Sequence, residues 1–303
     1  MSAPIGSTIV AAFDIGSNSI KMTVASVSPN GGITELFSAI ETIRLGEGID
    51  RTGVLNGDRV KAALEALTEM SARARSAGAT RFIGVATEAV RIARNGAEFL
   101  NRVQNDIGIS TVAITGDSEA SLAYIGLTAD YHFTGKVVMA DIGGASTEIV
   151  IGSGPEVLWA KSFPLGSGRL TDRFVSSDPP TAAELEECRQ EAQSILAEVP
   201  FGDHPGARLA ITGGTGEYLG RLVHDISSIR SEEITTALQF VTTLTAEALA
   251  QRIDISPMRA RVLPAGIAVV AAVAGQLNPI NIAGARSGLR TGLLLQAAKE
   301  SAQ

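Results

Sequence analysis

Short apolar runs bounded by Gly, Asp and Ser alternate along this chain with longer segments whose apolar residues recur every three or four positions. The short runs read as strands and the longer ones as helices. Ile9–Ala25 reads as strand, tight turn, strand, with Asp14-Ile15-Gly16-Ser17-Asn18-Ser19 as the turn. Gly31-Gly32 marks a hairpin turn before a strand at Thr34–Ile43. Asp58–Ala77 reads as a helix that Asp58 can cap, with Val60, Leu64, Leu67 and Met70 on one face. The first half continues with strand Arg81–Ala86, helix Ala97–Ile107, strand Thr111–Ile114 and helix Glu119–Leu127. The second half predicts strands at Val137–Ala140, Thr147–Ile151, Val157–Ser162, Arg208–Thr212 and Ile280–Ala283. Its helices are predicted at Leu170–Phe174, Thr181–Glu198, Thr245–Arg252, Met258–Ala274 and Leu289–Lys299, with a Gly-rich turn at Gly213–Gly216. Strands alternating with helices in this manner predict an α/β protein.

Composition changes this picture little. The chain has 303 residues, 45% hydrophobic and 19% charged, enough for two domains of about 150 residues each. A net charge of -7 argues against general nucleic-acid binding, which needs a basic surface, but leaves a local phosphate site open. Cys188 is the sole cysteine, so no intrachain disulfide or cysteine metal cluster can form, and a reducing compartment is the simple reading. Met1–Thr8 has no basic leader region. The apolar run Val262–Gly275 is shorter than the roughly 20 residues of a membrane span and contains Pro264 and Gly266, so it predicts a buried helix and no membrane association. Cytoplasmic localisation follows as an expectation.

The candidate chemistry lies in an internal repeat. Asp14-Ile15-Gly16-Ser17-Asn18-Ser19 and Asp141-Ile142-Gly143-Gly144-Ala145-Ser146 begin 127 positions apart (141 − 14), share four of six residues, and each joins two apolar strands. The pair suggests a duplicated domain. Glycine permits positive φ and close backbone approach, so successive N–H groups can converge on an anion. Serine hydroxyls add donors. The aspartate repels phosphate but can hold a divalent cation, directly or through water, that bridges to it.

Six ordered segments carry a resemblance to the exopolyphosphatase/guanosine-pentaphosphate phosphohydrolase (Ppx/GppA) family over nearly the whole chain: Phe13–Lys21, Arg44–Gly53, Val85–Arg91 with Asn95, Ile114–Ala120, Asp141–Glu148 and Pro164–Phe174. The resemblance implies two actin-like (ribonuclease H-like) ATPase domains, residues 1–127 and 128–303, with the active cleft between them and the last helix, about 288–303, able to pack back on the first domain. It implies Glu119 as the group that positions or deprotonates the attacking water, and Arg91 beside the phosphate. Phosphate binding falls to Asp14, Gly16, Ser17, Asn18 and Ser19 in the first loop and to Gly143, Gly144, Ala145, Ser146 and Thr147 in the second. Asp14, Asp141 and Glu148 are the implied metal residues, for Mg²⁺ or Mn²⁺. Arg169 has no assigned role.

The activity implied is exopolyphosphatase: metal-dependent hydrolysis of the terminal phosphoanhydride of inorganic polyphosphate, releasing orthophosphate. Alternatives are 5′-phosphate hydrolysis of guanosine pentaphosphate, or a non-catalytic alarmone or nucleotide sensor. The family also suggests a homodimer. Arg252, Arg259, Arg261, Arg286 and Arg290 could line a basic track for a long polyanion. Ala145 stands where the family has a third glycine, Arg261 where it often has aspartate, and Thr291 where glutamate is common. His224-Asp225 reads as incidental.

Overall fold

The computed structural model describes residues 7–28, 32–131, 135–285 and 287–301, without the side chains of Asp130 and Ser301. The chain divides into two compact units: Met1–Gly126 together with Leu289–Gln303, and Leu127–Gly288.

In unit 1, the strands β1 (Thr8–Ile15), β2 (Ser19–Val27), β3 (Ile33–Thr42), β4 (Arg81–Ala86) and β5 (Ser110–Ala113) form one sheet in the order β3-β2-β1-β4-β5. The first three are antiparallel neighbours, while β4 and β5 run parallel to β1. Antiparallel strands can be joined by tight turns, whereas the parallel ones need helical crossovers. The helix Gly57–Ser76 supplies the first crossover, turning Leu64, Leu67, Met70 and Ala74 inward. Asn56, rather than Asp58, is its cap: the Asn56 side chain accepts from the backbone N–H groups of Asp58 and Arg59. Central β1 is apolar on both faces, with Ala11, Ala12, Phe13 and Ile15 fully buried, as a strand flanked by two others and covered on both sides must be.

Unit 2 repeats the plan. Strands β6 (Lys136–Ile142), β7 (Thr147–Ser153), β8 (Glu156–Phe163), β9 (Arg208–Thr212) and β10 (Ile282–Gly284) lie in the order β10-β9-β6-β7-β8. Thus β6 corresponds to β1, β7 to β2, β8 to β3, β9 to β4 and β10 to β5, with the same directions. The helix Pro257–Leu277 forms the centre of the unit 2 core. An 18-residue window of it has a mean hydropathy of 1.6, which would by composition allow a membrane span, yet 78% of that window is buried. Pro257 opens the helix, where a missing N–H is harmless.

Some elements depart from the sequence reading. Ala97–Ile107 is not one helix: Gly96–Arg102 is followed by a π-helical turn, Val103–Ile107, that stops at Gly108 with φ +84. Thr181–Glu198 resolves into the helix Ala182–Ile195 and a closing 3₁₀ turn, Leu196–Glu198. The glycines Gly213–Gly216 open the helix Gly213–Leu219 instead of forming a separate turn. The helix Ser231–Val241 has no counterpart in the sequence reading: its Ser, Thr and Glu residues hide a stripe of Ile234, Ala237 and Val241. Gly31 lies outside the described residues; Gly32 accepts from the Ser28 N–H at 2.9 Å.

One carboxylate organises the approach to the helix Ala182–Ile195. Glu184 accepts from the backbone N–H and hydroxyl of Ser176, Ser177 and Thr181, and its own N–H donates to the Thr181 hydroxyl. This is a capping box extended to a preceding loop. Partial burial pushes the Glu184 carboxyl up, but the bonds from Ser177, Thr181 and Ser176 outweigh it and hold the group well below its usual 4.5. A carboxyl lowered on folding stabilises the protein fully above 4.5, and the contribution fades as pH falls through the folded value. Glu184→Gln is therefore expected to cost about 2 kcal/mol at pH 7, as for hydrogen bonds to a charged acceptor. The difference from wild type should shrink below pH 4, as read from urea unfolding at both pH values.

Candidate active site

Both inter-strand turns of the repeat close in the same way. In the first, the Gly16 N–H donates to Ser19 O at 3.1 Å; in the second, the Gly143 N–H donates to Ser146 O at 2.9 Å. Neither Gly16, Gly143 nor Gly144 adopts positive φ. Their value is close approach: a Cβ on Gly16 would stand 2.9 Å from Ser19 O, and one on Gly143 3.1 Å from Ser146 O. Ala145 also lies outside the left-handed region, so its methyl group carries no backbone strain.

The carbonyls of each turn are occupied by its own unit. In the first loop Ser17 O accepts from Gly46, and Asn18 O from Ile43 and Arg44, while the Ser17 hydroxyl accepts from the Ala89 N–H. In the second, Gly143 O accepts from Ser167, Gly144 O from Gly168 and Arg169, and Ala145 O from the Arg169 guanidinium. Arg169 thereby acquires a structural role. The backbone N–H groups of Ser17, Asn18, Gly144, Ala145 and Ser146 make no hydrogen bond among the described residues. Orphaned N–H groups in successive positions form an anion nest. Gly166 makes the second loop's support feasible, since a Cβ there would lie 2.4 Å from Ala145 N. Thr147 departs from the sequence reading as a phosphate donor: it is fully buried and its hydroxyl donates to Leu165 O.

The residues behind the two turns differ in charge. Asp14 stands opposite Lys21 across β1 and β2, and the Lys21 ammonium is 3.7 Å from its carboxylate. At the corresponding place Asp141 faces Glu148 across β6 and β7. Directly opposed residues share a sheet face with Cβ atoms about 5 Å apart. The row extends outward to Ser162 on β8, whose hydroxyl donates to Glu148 at 2.7 Å, and inward to Thr212 on β9. Glu148 is 2% exposed. Two neighbouring carboxylates in a hydroxyl-flanked row are a hard-oxygen donor set suited to a divalent cation. Sequence reasoning passed over Lys21, which is inside a motif but carries no unusual residue type, and Thr212, whose place in the row depends on strand register.

Glu119 lies in the first turn of the helix Gly116–Asp130 and is 7% exposed. Thr115 fixes that turn, its hydroxyl accepting from the Ser118 N–H and its carbonyl from the Glu119 N–H. Arg91, on the helix Glu88–Ile92, donates to Ile114 O at 2.7 Å, immediately before this turn. The structure thus brings Arg91 to the segment that carries Glu119. Glu88, at the start of the Arg91 helix, is a buried carboxylate of unit 1 like Asp14 and Glu119, and was not singled out from the sequence.

Within unit 2, two of the arginines expected in a basic track are engaged by the protein itself. Arg259 is buried with its guanidinium over the Tyr218 ring. Arg261 donates to Val175 O and Ser177 O, and Arg290 to Met22 O at 3.2 Å. Arg286 lies outside the described residues, leaving Arg252 exposed. Arg261 thus serves as a clamp on the end of the helix Ser167–Phe174. Asp225 binds Ser227 in a local turn, and among the described residues no group of three His, Cys, Asp or Glu side chains could hold a metal.

Comparison with known proteins agrees with this architecture. The chain is 29% identical to Exopolyphosphatase 1 of Mycobacterium tuberculosis over 296 residues, covering 93% of this chain and 86% of that protein. It is 31% identical to Exopolyphosphatase 2 of the same organism over 298 residues, covering 89% and 91%. The crystal structure of the Aquifex aeolicus member of the Ppx/GppA protein family superposes with a TM-score of 0.79 at 28% identity, covering 98% of this chain and 99% of that one. The duplicated mixed sheet is therefore the two-domain, actin-like arrangement of that group. With the profile of the Ppx/GppA phosphatase family matching residues 23–301, the chain belongs to that family.

Proposed function

We propose that this protein is an exopolyphosphatase, a hydrolase that removes the terminal phosphate of inorganic polyphosphate with the help of a divalent cation in the cytoplasm. The observation that carries the reading is the second turn, where open N–H groups at Gly144, Ala145 and Ser146 adjoin the Asp141–Glu148 pair. Its support from outside the chain is the pair of mycobacterial exopolyphosphatases that match over most of their length.

The division of labour follows from the residues. Phosphoryl transfer asks the protein chiefly for positioning and charge stabilisation. The open N–H groups of Ser17, Asn18, Gly144, Ala145 and Ser146 hold phosphate oxygens, with the Ser146 and Ser19 hydroxyls as further donors. Asp141 and Glu148 hold the cation, which in the bound state offsets phosphate charge and polarises its oxygens. Asp14 fits a bare metal ligand less well, because the Lys21 ammonium already balances it; its place is at the edge of the phosphate site, with Lys21 as the cation of the first loop. Glu119 orients the attacking water and accepts its proton. Arg91 keeps one guanidinium nitrogen on Ile114 O and turns its remaining donors toward phosphate.

Orthophosphate release by the purified protein with Mg²⁺ tests the substrate, comparing short polyphosphate, long polyphosphate, guanosine pentaphosphate and ATP. Release is expected to be fastest from polyphosphate; a preference for the pentaphosphate would overturn the assignment in favour of an alarmone hydrolase. Glu119→Gln is expected to lower turnover about 10²- to 10⁴-fold, the range for a lost general base, with the melting temperature retained. Full turnover in that variant would remove Glu119 from the role. Excess chelator should abolish release and added Mg²⁺ or Mn²⁺ should restore it; undiminished release in chelator would refute the metal role of Asp141 and Glu148.

A further inference from the structure

The helix Glu88–Ile92, which carries Arg91, is five residues long and has no cap of its own: Thr87 stands at its N-cap and makes no side-chain cap hydrogen bond. The first backbone N–H groups of a helix have no partner within it and must find one elsewhere. Here one of them does so in a distant part of the chain. The Ala89 N–H, in the first turn of the helix, donates to the Ser17 hydroxyl at 3.3 Å, and the bond is buried. Ser17 is thus the capping hydroxyl of this helix, supplied from 72 positions away, where a cap ordinarily precedes its helix directly.

Further contacts make the helix a continuation of the first turn. The Thr87 N–H donates to Ile15 O at 3.1 Å, just before Gly16. The Gly46 N–H donates to Ser17 O at 2.8 Å, and a Cβ on Gly46 would stand 3.0 Å from the Cβ atoms of both Ser17 and Ala89, so one stretch of backbone rests against both. Near the other end of the helix the Arg91 guanidinium donates to Ile114 O. The duplication supplies an internal control. The counterpart of Ser17 in the second turn is Gly144, which has no side chain, yet that turn closes in the same way. The counterpart of the Arg91 helix is Gly213–Leu219, which follows β9 as the Arg91 helix follows β4, and it contains neither arginine nor lysine. Turn closure therefore does not require the hydroxyl, and the hydroxyl occurs in the unit whose helix bears a guanidinium.

We propose that the Ser17 side chain is a positioning group for Arg91: it fastens the Arg91 helix to the first turn and so sets where the guanidinium stands relative to a phosphate on that turn. The inference rests on the reading of Arg91 as the cation beside the phosphate. It divides Ser17 between two tasks. The backbone N–H belongs to the row of open donors, while the hydroxyl serves the helix and not the phosphate. One residue thereby holds the donor row and the arginine in register. A guanidinium offsets charge that develops on phosphate only if it is already in place, and small misplacements of such groups are costly.

The test is a double-mutant cycle on kcat/KM for orthophosphate release from polyphosphate with Mg²⁺, combining Ser17→Ala with Arg91→Ala. Ser17→Ala alone is expected to lower kcat/KM roughly tenfold, within the range for residues that act through one another. In the Arg91→Ala background the same change should cost less than about twofold, the scatter of such cycles, because no guanidinium is left to position. Ser17→Cys, of similar shape and with a weaker acceptor, is carried through the same cycle and should follow Ser17→Ala, so that a poorly folded Ser17→Ala leaves the coupling measurable. Equal losses from the Ser17 variants with and without Arg91 would overturn the proposal and return the hydroxyl to direct phosphate contact or to the fold alone, with the reading of Arg91 left standing. Wild-type kcat/KM in both Ser17 variants would also overturn it. If Arg91→Ala itself keeps wild-type kcat/KM, or the wild-type protein releases no orthophosphate from polyphosphate, the underlying reading fails and the proposal with it.

Discussion

Everything the two turns can do depends on where their carbonyl oxygens go. A tight turn exposes donors and acceptors alike, and an anion is repelled by the acceptors as strongly as it is drawn by the donors. Here the acceptors are occupied: Ser17 and Asn18 by the chain at Ile43–Gly46, and Gly143, Gly144 and Ala145 by Ser167, Gly168 and Arg169. What remains of each turn is a row of N–H groups. The segments that achieve this are the ones that look least chemical in sequence, and their glycines serve close approach: Gly166 lies against the backbone of Gly144 and Ala145, and a Cβ on Gly46 would stand 3.0 Å from those of Ser17 and Ala89. Preorganised donors of this sort need no reorganisation when charge develops on a phosphate.

The duplication fixes positions and leaves chemistry to vary within them. Across the middle of each sheet runs a row of in-register residues centred on an aspartate. In unit 1 the row reads Val85, Asp14, Lys21, and in unit 2 Thr212, Asp141, Glu148. The first has its own ammonium, 3.7 Å from the carboxylate, and a hydrocarbon neighbour. The second places two like charges side by side, so their carboxylates depend on neighbouring donors or cations for compensation. One framework thus places an ammonium beside the first aspartate and a second carboxylate beside the other.

The strands and long helices were legible because their signals are local. Arg81–Ala86 and Arg208–Thr212 have the bounds their apolar runs indicate, and the paired Asp-Ile-Gly turns identify themselves as a repeat. Signals that depend on register were not legible. Nothing in the string of letters says that Thr212 stands beside Asp141, or that Lys21 faces Asp14, since those neighbours are set by strand order. Arg259 and Arg261 were not legible for a related reason: charge counts along the sequence cannot distinguish an arginine in water from one over Tyr218 or one on two carbonyls. The helix Ser231–Val241 was hidden by polar residues of modest helix propensity, though three apolar ones at the right spacing suffice to bury it.

The helix Leu289–Ser301 belongs to unit 1, packing against β1 and β2, with Arg81 reaching Ala297 O and Glu300 and Arg290 reaching Met22 O. Gly292 lies so close to Leu122 O that no side chain could stand there. Unit 2 is contiguous in sequence, but unit 1 is not. On a ribosome the strands that begin the chain emerge first, and the helix that covers them emerges last. The second unit can be complete while the first still waits for its final element, so the order in which the two units mature is the reverse of the order in which they are made.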